Sequence, residues 1–97
     1  MVESENEALR LARLGDQASF AVLVRRYQPM VYNLAFACLG EADAAADAAQ
    51  EAFLRAWRGL PSFAGQSSFS TWLYSIAHRT SLTMASHRRR MVPLAEI

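Results

Sequence analysis

The strongest candidates for binding chemistry lie on one predicted helical face between residues 47 and 58. Glu51 precedes Arg55 by four residues, which is the favourable order for an ion pair on a helix surface. Such a pair can stabilise its own helix without any role in binding a partner. It does not explain why acidic, amide and apolar side chains continue along the same face. The candidate surface therefore comprises Asp47, Gln50, Glu51, Leu54, Arg55 and Arg58.

Charge is distributed unevenly along the 97 residues, although the net charge is only +1. Residues 1–51 hold eight acids and four arginines, a balance of −4, whereas residues 52–97 hold six arginines and one acid, a balance of +5. This asymmetry suggests two partners of opposite charge, one of them a nucleic acid. Solvated charged faces produce the same pattern, so the charges alone leave both interpretations open.

Residue sets typical of enzymes are missing from the sequence. There is no glycine-rich phosphate loop, no Cys or His pair at ligand spacing, and no nucleophile with an evident base. His78 and His87 are nine residues apart, which favours solvated or phosphate-facing positions over a metal site. We therefore expect a non-enzymatic protein with no metal and no cofactor.

Apolar residues at three- and four-residue spacing predict the helices that position these side chains. A short helix over residues 8–14 ends at Gly15, and Asp16 caps a long second helix that ends at Gly40. The apolar stripe of the second helix keeps its phase across Pro29, which predicts a kinked helix rather than two separate helices. This stripe consists of Phe20, Leu23, Val24, Tyr27, Val31, Leu34, Ala35 and Cys38.

The third and fourth helices flank an irregular connection predicted over Gly59 to Ser70. Phe63 and Phe69 in this connection either attach it to the core or display their rings for binding. Ser70 is expected to cap the last helix, which stops before Pro93. The inner face of the third helix is predicted to be Ala45, Ala48, Ala49, Ala52, Phe53, Ala56, Trp57 and Leu60. The pattern as a whole predicts an all-α fold, a compact bundle of about four helices.

Length and composition favour one cytoplasmic domain. The chain, with 53% hydrophobic residues, is long enough for one core and too short for two. Cys38 has no disulfide partner, which fits a reducing compartment. The acidic start does not resemble a signal peptide, and no apolar run is long enough for membrane insertion.

Two segments of the sequence resemble the sigma factor family. They are DAAQEAFLRAW at residues 47–57 and FSTWLYSIA at residues 69–77, preceded by Leu39-Gly40. The ordered set, from about residues 15–16 through the arginines at 88–90, is similar to region 2 of an extracytoplasmic-function sigma factor of the sigma-70 family. The resemblance implies a region 2 domain over residues 1–92. Residues 93–97 would begin a linker to a C-terminal helix-turn-helix domain that lies beyond this chain.

The resemblance also implies how the third helix is used. In the family, this helix docks on a coiled coil of the beta-prime subunit of RNA polymerase core. The implied contact residues are Asp47, Gln50, Glu51, Leu54, Arg55 and Arg58. Carboxylates beside an amide can accept charge-assisted hydrogen bonds from arginines of a partner helix. An anti-sigma factor that masks the binding surfaces is a further expected partner.

The segment at 62–70 is implied to take a flipped base from the non-template strand of the minus-ten element of promoter DNA. Aromatic rings can stack on that base, hydroxyls can contact its edge, and cationic side chains on the last helix can contact phosphates. The predicted DNA-binding residues are Phe63, Ser67, Ser68, Phe69, Tyr74, His78, Arg79, Arg88, Arg89 and Arg90.

Some positions depart from the family pattern. Arg79 and Thr83 stand where many members have Asn followed by Asp or Asn, and Arg donates hydrogen bonds without accepting any. The base preference of typical members therefore does not transfer to this chain. Ala44 and Ala46 replace frequent acids, which lowers the expected affinity for polymerase. The main alternative is a helical protein-interaction module that does not contact DNA, and salt-dependent binding to a single strand separates the two.

Overall fold

The computed structural model of the chain describes residues 4–90. Its elements, in order, are α1 (Glu5–Arg13), α2 (Gln17–Leu39), α3 (Ala42–Gly59), a 3-10 helix (Leu60–Ser62) and α4 (Phe69–Arg90). The predicted all-α bundle of about four helices is confirmed. The predicted linker at 93–97, and the predicted helix stop before Pro93, lie outside the described residues.

The two ends of α2 form as the sequence predicts. The Asp16 carboxylate accepts a hydrogen bond from the backbone N–H of Ser19, one of the amides that a helix leaves unpaired in its first turn. Gly40 ends the helix with φ +70°, a left-handed conformation that costs little without a Cβ atom. Pro29 lies inside one continuous helix, as the unbroken apolar phase indicates.

Three details of the predicted boundaries are wrong. The irregular connection predicted over Gly59 to Ser70 is limited to residues 63–68, because α3 reaches Gly59, a 3-10 helix follows, and α4 starts at Phe69. α4 begins at Phe69, and its cap is Ser68 rather than Ser70. The Ser68 hydroxyl accepts from the Thr71 N–H at 3.2 Å, because it stands three residues before that amide. The first helix was predicted to include residue 14, but α1 ends at Arg13 and the Leu14 side chain is 77% exposed.

The core lies where α2 packs against the other three helices and α3 packs against α4. Alanines at positions 45, 48, 49, 52 and 56 of α3 are buried, and their small side chains allow the neighbouring helices to approach closely. Leu23, Leu60 and Leu73 are the largest side chains that are fully buried among the described residues. Because the alanine side of α3 packs against the other helices, the opposite side of α3 stays exposed and is available for binding.

None of the described helices combines the length and hydropathy needed to cross a membrane.

Candidate protein-docking and nucleic-acid interfaces

The acidic face predicted on the third helix is turned away from the core. Asp47, Gln50, Leu54 and Arg58 are exposed, and Glu51 is half-buried. Arg55 donates from Nε to Glu51 Oε2 at 3.0 Å, so the predicted ion pair is present. Because the alanines occupy the inner side, the remaining positions of the same helical period face outward. We call the outward set Asp47, Gln50, Glu51, Leu54, Arg55 and Arg58 the ridge.

An apolar groove of about 700 Å³ runs beside the ridge, between α2 and α3. The rings of Phe20 and Trp57 lie 5.0 Å apart between their centroids and form part of its wall. The groove is lined by Gln17, Phe20, Val24, Gln28, Tyr32, Ala46, Ala49, Gln50, Phe53, Leu54 and Trp57. Gln50 and Leu54 belong to both the ridge and the groove, so the two form one continuous surface.

This groove was not predicted from the sequence. Phe20, Val24, Phe53 and Trp57 were expected on inner stripes, whereas all four are only partly buried. Helical periodicity shows that a face is apolar but does not show whether a neighbouring helix covers it. The signal that could have revealed the groove is the width of the apolar arc on α3, since Phe53, Leu54 and Trp57 extend it well beyond the alanines.

Phe63 and Phe69 lie in the core, each 4% exposed. With Tyr27 and Trp72 they form an aromatic cluster, in which the centroid of Phe63 is 4.9 Å from Trp72 and that of Phe69 is 5.5 Å from Tyr27. The sequence left two alternatives open: the rings could attach the connection to the core or be displayed for binding. In the structure, they attach the connection to the core. Neither ring presents a face on which a base could stack in this structure.

The connection at 63–68 is exposed between its two aromatic attachments. The Gln66 side-chain oxygen accepts from the Ala64 N–H at 3.2 Å, and the Ser67 hydroxyl donates to the Ser68 carbonyl at 3.1 Å. Ser68 uses its own hydroxyl to cap α4 and to contact Thr71. Ser67 is therefore the more accessible of the two predicted serines for a base edge.

On α4, the predicted residues form an exposed polar and aromatic face. Tyr74 is 45% exposed, and its ring centroid lies 6.0 Å from that of His78, one turn further along. Arg79 is exposed and donates from Nε to the Ser75 carbonyl at 3.4 Å. A ring, an imidazole and a guanidinium group are thus available on the first three turns of α4, the helix that follows the connection at 63–68.

The three arginines near the end of α4 are not equivalent. Arg88 forms a 2.7 Å ion pair with Glu41, the residue preceding α3. Arg90 donates to the Ser86 hydroxyl at 3.0 Å, and Arg89 is exposed. At 1.5 Å per helical residue, these arginines lie roughly 28–32 Å from the start of α4. The predicted DNA-binding residues therefore extend along α4 rather than forming one pocket.

Glu5 and Tyr27 join α1 to the aromatic cluster and were not among the predicted site residues. The Tyr27 hydroxyl donates to Glu5 Oε1 at 2.5 Å, and Arg26 contacts the same carboxylate oxygen at 3.4 Å. Burial, and then the hydrogen bond to Glu5, raise the pKa of Tyr27 to about 12. A tyrosine on an apolar stripe was the available signal, because a partly buried hydroxyl needs a partner.

Within residues 4–90, no three His, Cys, Asp or Glu side chains are grouped closely enough to hold a metal ion.

Comparisons with known proteins agree on one family. Residues 23–91 match the model of Sigma-70 region 2. The chain is 36% identical over 95 residues to the RNA polymerase sigma-H factor of Pseudomonas aeruginosa, 98% of this chain and 49% of that protein. It is 42% identical over 82 residues to the ECF RNA polymerase sigma factor SigW of Bacillus subtilis, 84% of this chain and 43% of that protein. The ECF RNA polymerase sigma-E factor of Escherichia coli K12 is 41% identical over 83 residues, 86% of this chain and 43% of that protein.

A solved structure extends the similarity to three dimensions. It is the NMR structure of an engineered region 2 of sigmaE in complex with GTAAAA, with a TM-score of 0.81 and 36% identity. The match covers 96% of this chain and all of that one. The chain spans about half the length of the curated relatives it matches.

Proposed function

Because this chain belongs to the sigma-70 family as a region 2 domain of the extracytoplasmic-function type, we propose that it connects RNA polymerase core to the minus-ten element of a promoter during transcription initiation. The observation that carries the proposal is the likeness to a region 2 that binds GTAAAA, at 36% identity over nearly the whole chain. The two surfaces described above would hold the two partners.

The ridge and its groove suit a coiled coil of the polymerase beta-prime subunit. Stable interfaces usually combine an apolar centre with a polar rim, and here Phe20, Phe53 and Trp57 supply the apolar centre. Asp47 and Gln50 are exposed on the ridge, where they can accept charge-assisted hydrogen bonds from arginines. An amphipathic helix of the partner would lay its apolar side in the groove.

The connection at 63–68 and the outer face of α4 would hold the non-template strand. Tyr74, rather than Phe63 or Phe69, offers an exposed ring for stacking, since the two phenylalanines are buried. Ser67 would contact a base edge, and Arg79 a phosphate. Buried Phe63 and Phe69 would contribute by fixing the shape of the connection.

Energies indicate that this domain captures an opened strand rather than opening the duplex unaided. Unwinding costs on the order of 1.4 kcal/mol per base-pair step, so a ten-pair bubble costs roughly 14 kcal/mol. One or two stacked bases return roughly 2–6 kcal/mol. Polymerase would supply the difference, which explains why both surfaces are needed on one domain.

This role is one of binding rather than catalysis, and it would be performed in the cytoplasm, where the polymerase acts. An anti-sigma factor that covers the groove and the α4 face would inhibit both contacts at once. The apolar groove supports such a partner, because a surface of this kind is costly to leave in water.

Recovery of polymerase core on the immobilised chain tests the docking surface. We expect the Gln50→Ala, Glu51→Ala double variant to recover much less core than the wild type. A Glu7→Ala, Arg10→Ala double variant is the matched control, because it removes an exposed α1 ion pair of 2.6 Å outside both surfaces. Equal recovery by the two double variants would exclude the ridge.

Binding of a labelled GTAAAA strand tests the second surface. We expect the affinity to fall as salt rises and to fall further in Arg79→Ala and Tyr74→Ala. Binding that is absent, or that does not respond to salt, would favour a protein-interaction module without DNA contact.

A further inference from the structure

A basic cleft lies between α3 and α4, separate from the apolar groove. It consists of two adjoining hollows of about 390 and 260 Å³, which share Arg55, Thr80 and Thr83. Arg79 lines the first hollow, while His87 and Arg90 line the second. We call these six residues the basic cleft.

The charge of the cleft favours an anion. Three arginines line it, and the acid among its lining residues is Glu51, which is paired with Arg55. That pair uses Arg55 Nε, and a guanidinium group has further N–H donors on its terminal nitrogens. Arg55 can therefore bind a second group, but the adjacent carboxylate partly neutralises its charge.

The wall of the cleft includes a residue with a buried hydroxyl, Thr80. Thr80 is 3% exposed, and its Oγ1 atom has no hydrogen-bond partner in the part of the chain that the structure describes. An unsatisfied buried hydroxyl is unfavourable, so a group that could accept a hydrogen bond from it would be stabilised there. Thr80 lines both hollows, but its Oγ1 atom is itself buried, so a phosphate oxygen could accept from this hydroxyl only after a small opening between α3 and α4.

We propose that the basic cleft binds a phosphate of the captured strand, and that Arg55 is shared between this phosphate and Glu51 of the ridge. This inference rests on the proposed DNA-binding function. It gives Arg55 a role beyond the polymerase contact implied by the family resemblance. A partner that engages the Glu51 carboxylate would release the full charge of Arg55 to the phosphate. Polymerase docking and strand capture would then strengthen each other, because binding free energies are coupled reciprocally.

Anisotropy of a labelled GTAAAA strand, measured with the whole 97-residue chain, tests the sharing of Arg55. We expect Arg55→Gln to weaken binding severalfold and to reduce the slope of log affinity against log salt by about 0.7, the value for one phosphate contact on a single strand. We expect Glu51→Gln to tighten binding by about twofold, which matches the strength of a surface pair at this spacing. The Glu51→Gln gain should disappear when Arg55 is also changed to Gln.

Asp43→Asn is the matched control for the Glu51 variant. It removes the same charge from the same helix, about two turns before Glu51. Asp43 lies roughly 18 Å along the helix axis from Arg55, which is beyond the screening length of about 8 Å at physiological salt. An equal gain from Asp43→Asn would overturn the proposal, because the effect would then be general repulsion. A Glu51→Gln gain that persists alongside Arg55→Gln would overturn it too.

Two further measurements distinguish a phosphate of the strand from a free phosphate ion. A strand with uncharged methylphosphonate linkages should bind less tightly than GTAAAA, and this difference should be smaller in Arg55→Gln. Displacement of the strand by inorganic phosphate, at constant ionic strength and only when Arg55 is present, would assign the cleft to a free anion and overturn the strand assignment. If Arg79→Ala weakens binding but Arg55→Gln does not, this inference fails while the proposed function stands. If the wild type does not bind the strand, the proposed function fails.

Discussion

Phe63→Ala is the change that best separates structural attachment from base stacking. The Phe63 ring is 4% exposed and lies against Trp72 and Phe69, with centroid distances of 4.9 and 6.3 Å. If the ring attaches the connection at 63–68 to the core, its removal leaves a cavity that the surrounding rings cannot close completely. The main effect should then be on stability.

The expected loss is large for a domain of this size. Truncating a buried Phe to Ala typically costs about 3–5 kcal/mol. A 97-residue domain has a total stability of roughly 5–15 kcal/mol, so this one side chain supplies a substantial fraction. With an unfolding entropy of about 0.2 kcal/mol/K for this length, a loss of 4 kcal/mol lowers the melting temperature by about 20 °C.

Thermal unfolding followed by circular dichroism measures this loss directly. Tyr74→Ala is the control, because Tyr74 is 45% exposed and its loss should change stability by less than about 0.5 kcal/mol. A melting temperature of Phe63→Ala within a few degrees of the wild type would refute the reasoning, since the ring could not then be part of the core.

Phe63→Leu separates the two roles in the binding assay. Leu keeps an apolar attachment and costs about 1 kcal/mol in stability, but it has no aromatic face. We expect its affinity for GTAAAA to stay within about twofold of the wild type. Stacking contributes about 1–3 kcal/mol per base, so a loss of tenfold or more would mean that the ring leaves the core to hold a base.

Three further predictions concern stability and its relation to binding. Folding raises the Tyr27 pKa from 10.0 to about 12, so this contribution is fully present below pH 10 and is lost as pH rises toward 12. Two pKa units correspond to at most about 2.7 kcal/mol, and partial exposure reduces this to on the order of 1 kcal/mol. Melting curves between pH 9 and 11.5 should therefore fall more steeply for the wild type than for Tyr27→Phe, and parallel curves would contradict this. Gly40→Ala should lose about 1 kcal/mol in denaturant unfolding, because φ +70° strains a side chain even where nothing lies within 4 Å; unchanged stability would show that the turn relaxes. Thr80→Val should raise stability by about 1 kcal/mol while weakening binding of GTAAAA, and a gain in stability with unchanged affinity would remove the hydroxyl from the basic cleft.

The arrangement of the ridge, the apolar groove and the basic cleft on one small domain would allow it to hold the two proposed partners. α3 carries the ridge on its exposed side and packs against both α2 and α4. The apolar groove lies on the α2 side, and the basic cleft lies on the α4 side. α3 is therefore the element through which occupation of one surface can affect the other, and Arg55 is the side chain placed to do so.

Helix positions and ends could be predicted from sequence because they depend on neighbouring residues. The Asp16 cap and the Gly40 end of α2 follow from hydrogen bonds and backbone angles within a few residues. The outward direction of Asp47 and Gln50 follows from the position of the alanines on the same helical period. The cap of α4 was placed two residues late, because Ser68 and Ser70 are equally suitable in type and only the start of the helix distinguishes them.

Only the tertiary structure decided which apolar side chains are covered. Phe63 could have been attached or displayed, and it is buried because Trp72 and Phe69 from α4 close around it. Phe20 and Trp57 have the spacing of core residues, yet they line an open groove because no further helix covers them in the described part of the chain. The sharing of Arg55 between Glu51 and a cleft with Thr80 likewise depends on α4 lying against α3. Periodicity fixes the direction of a side chain from its own helix, whereas its burial depends on residues that are distant in sequence.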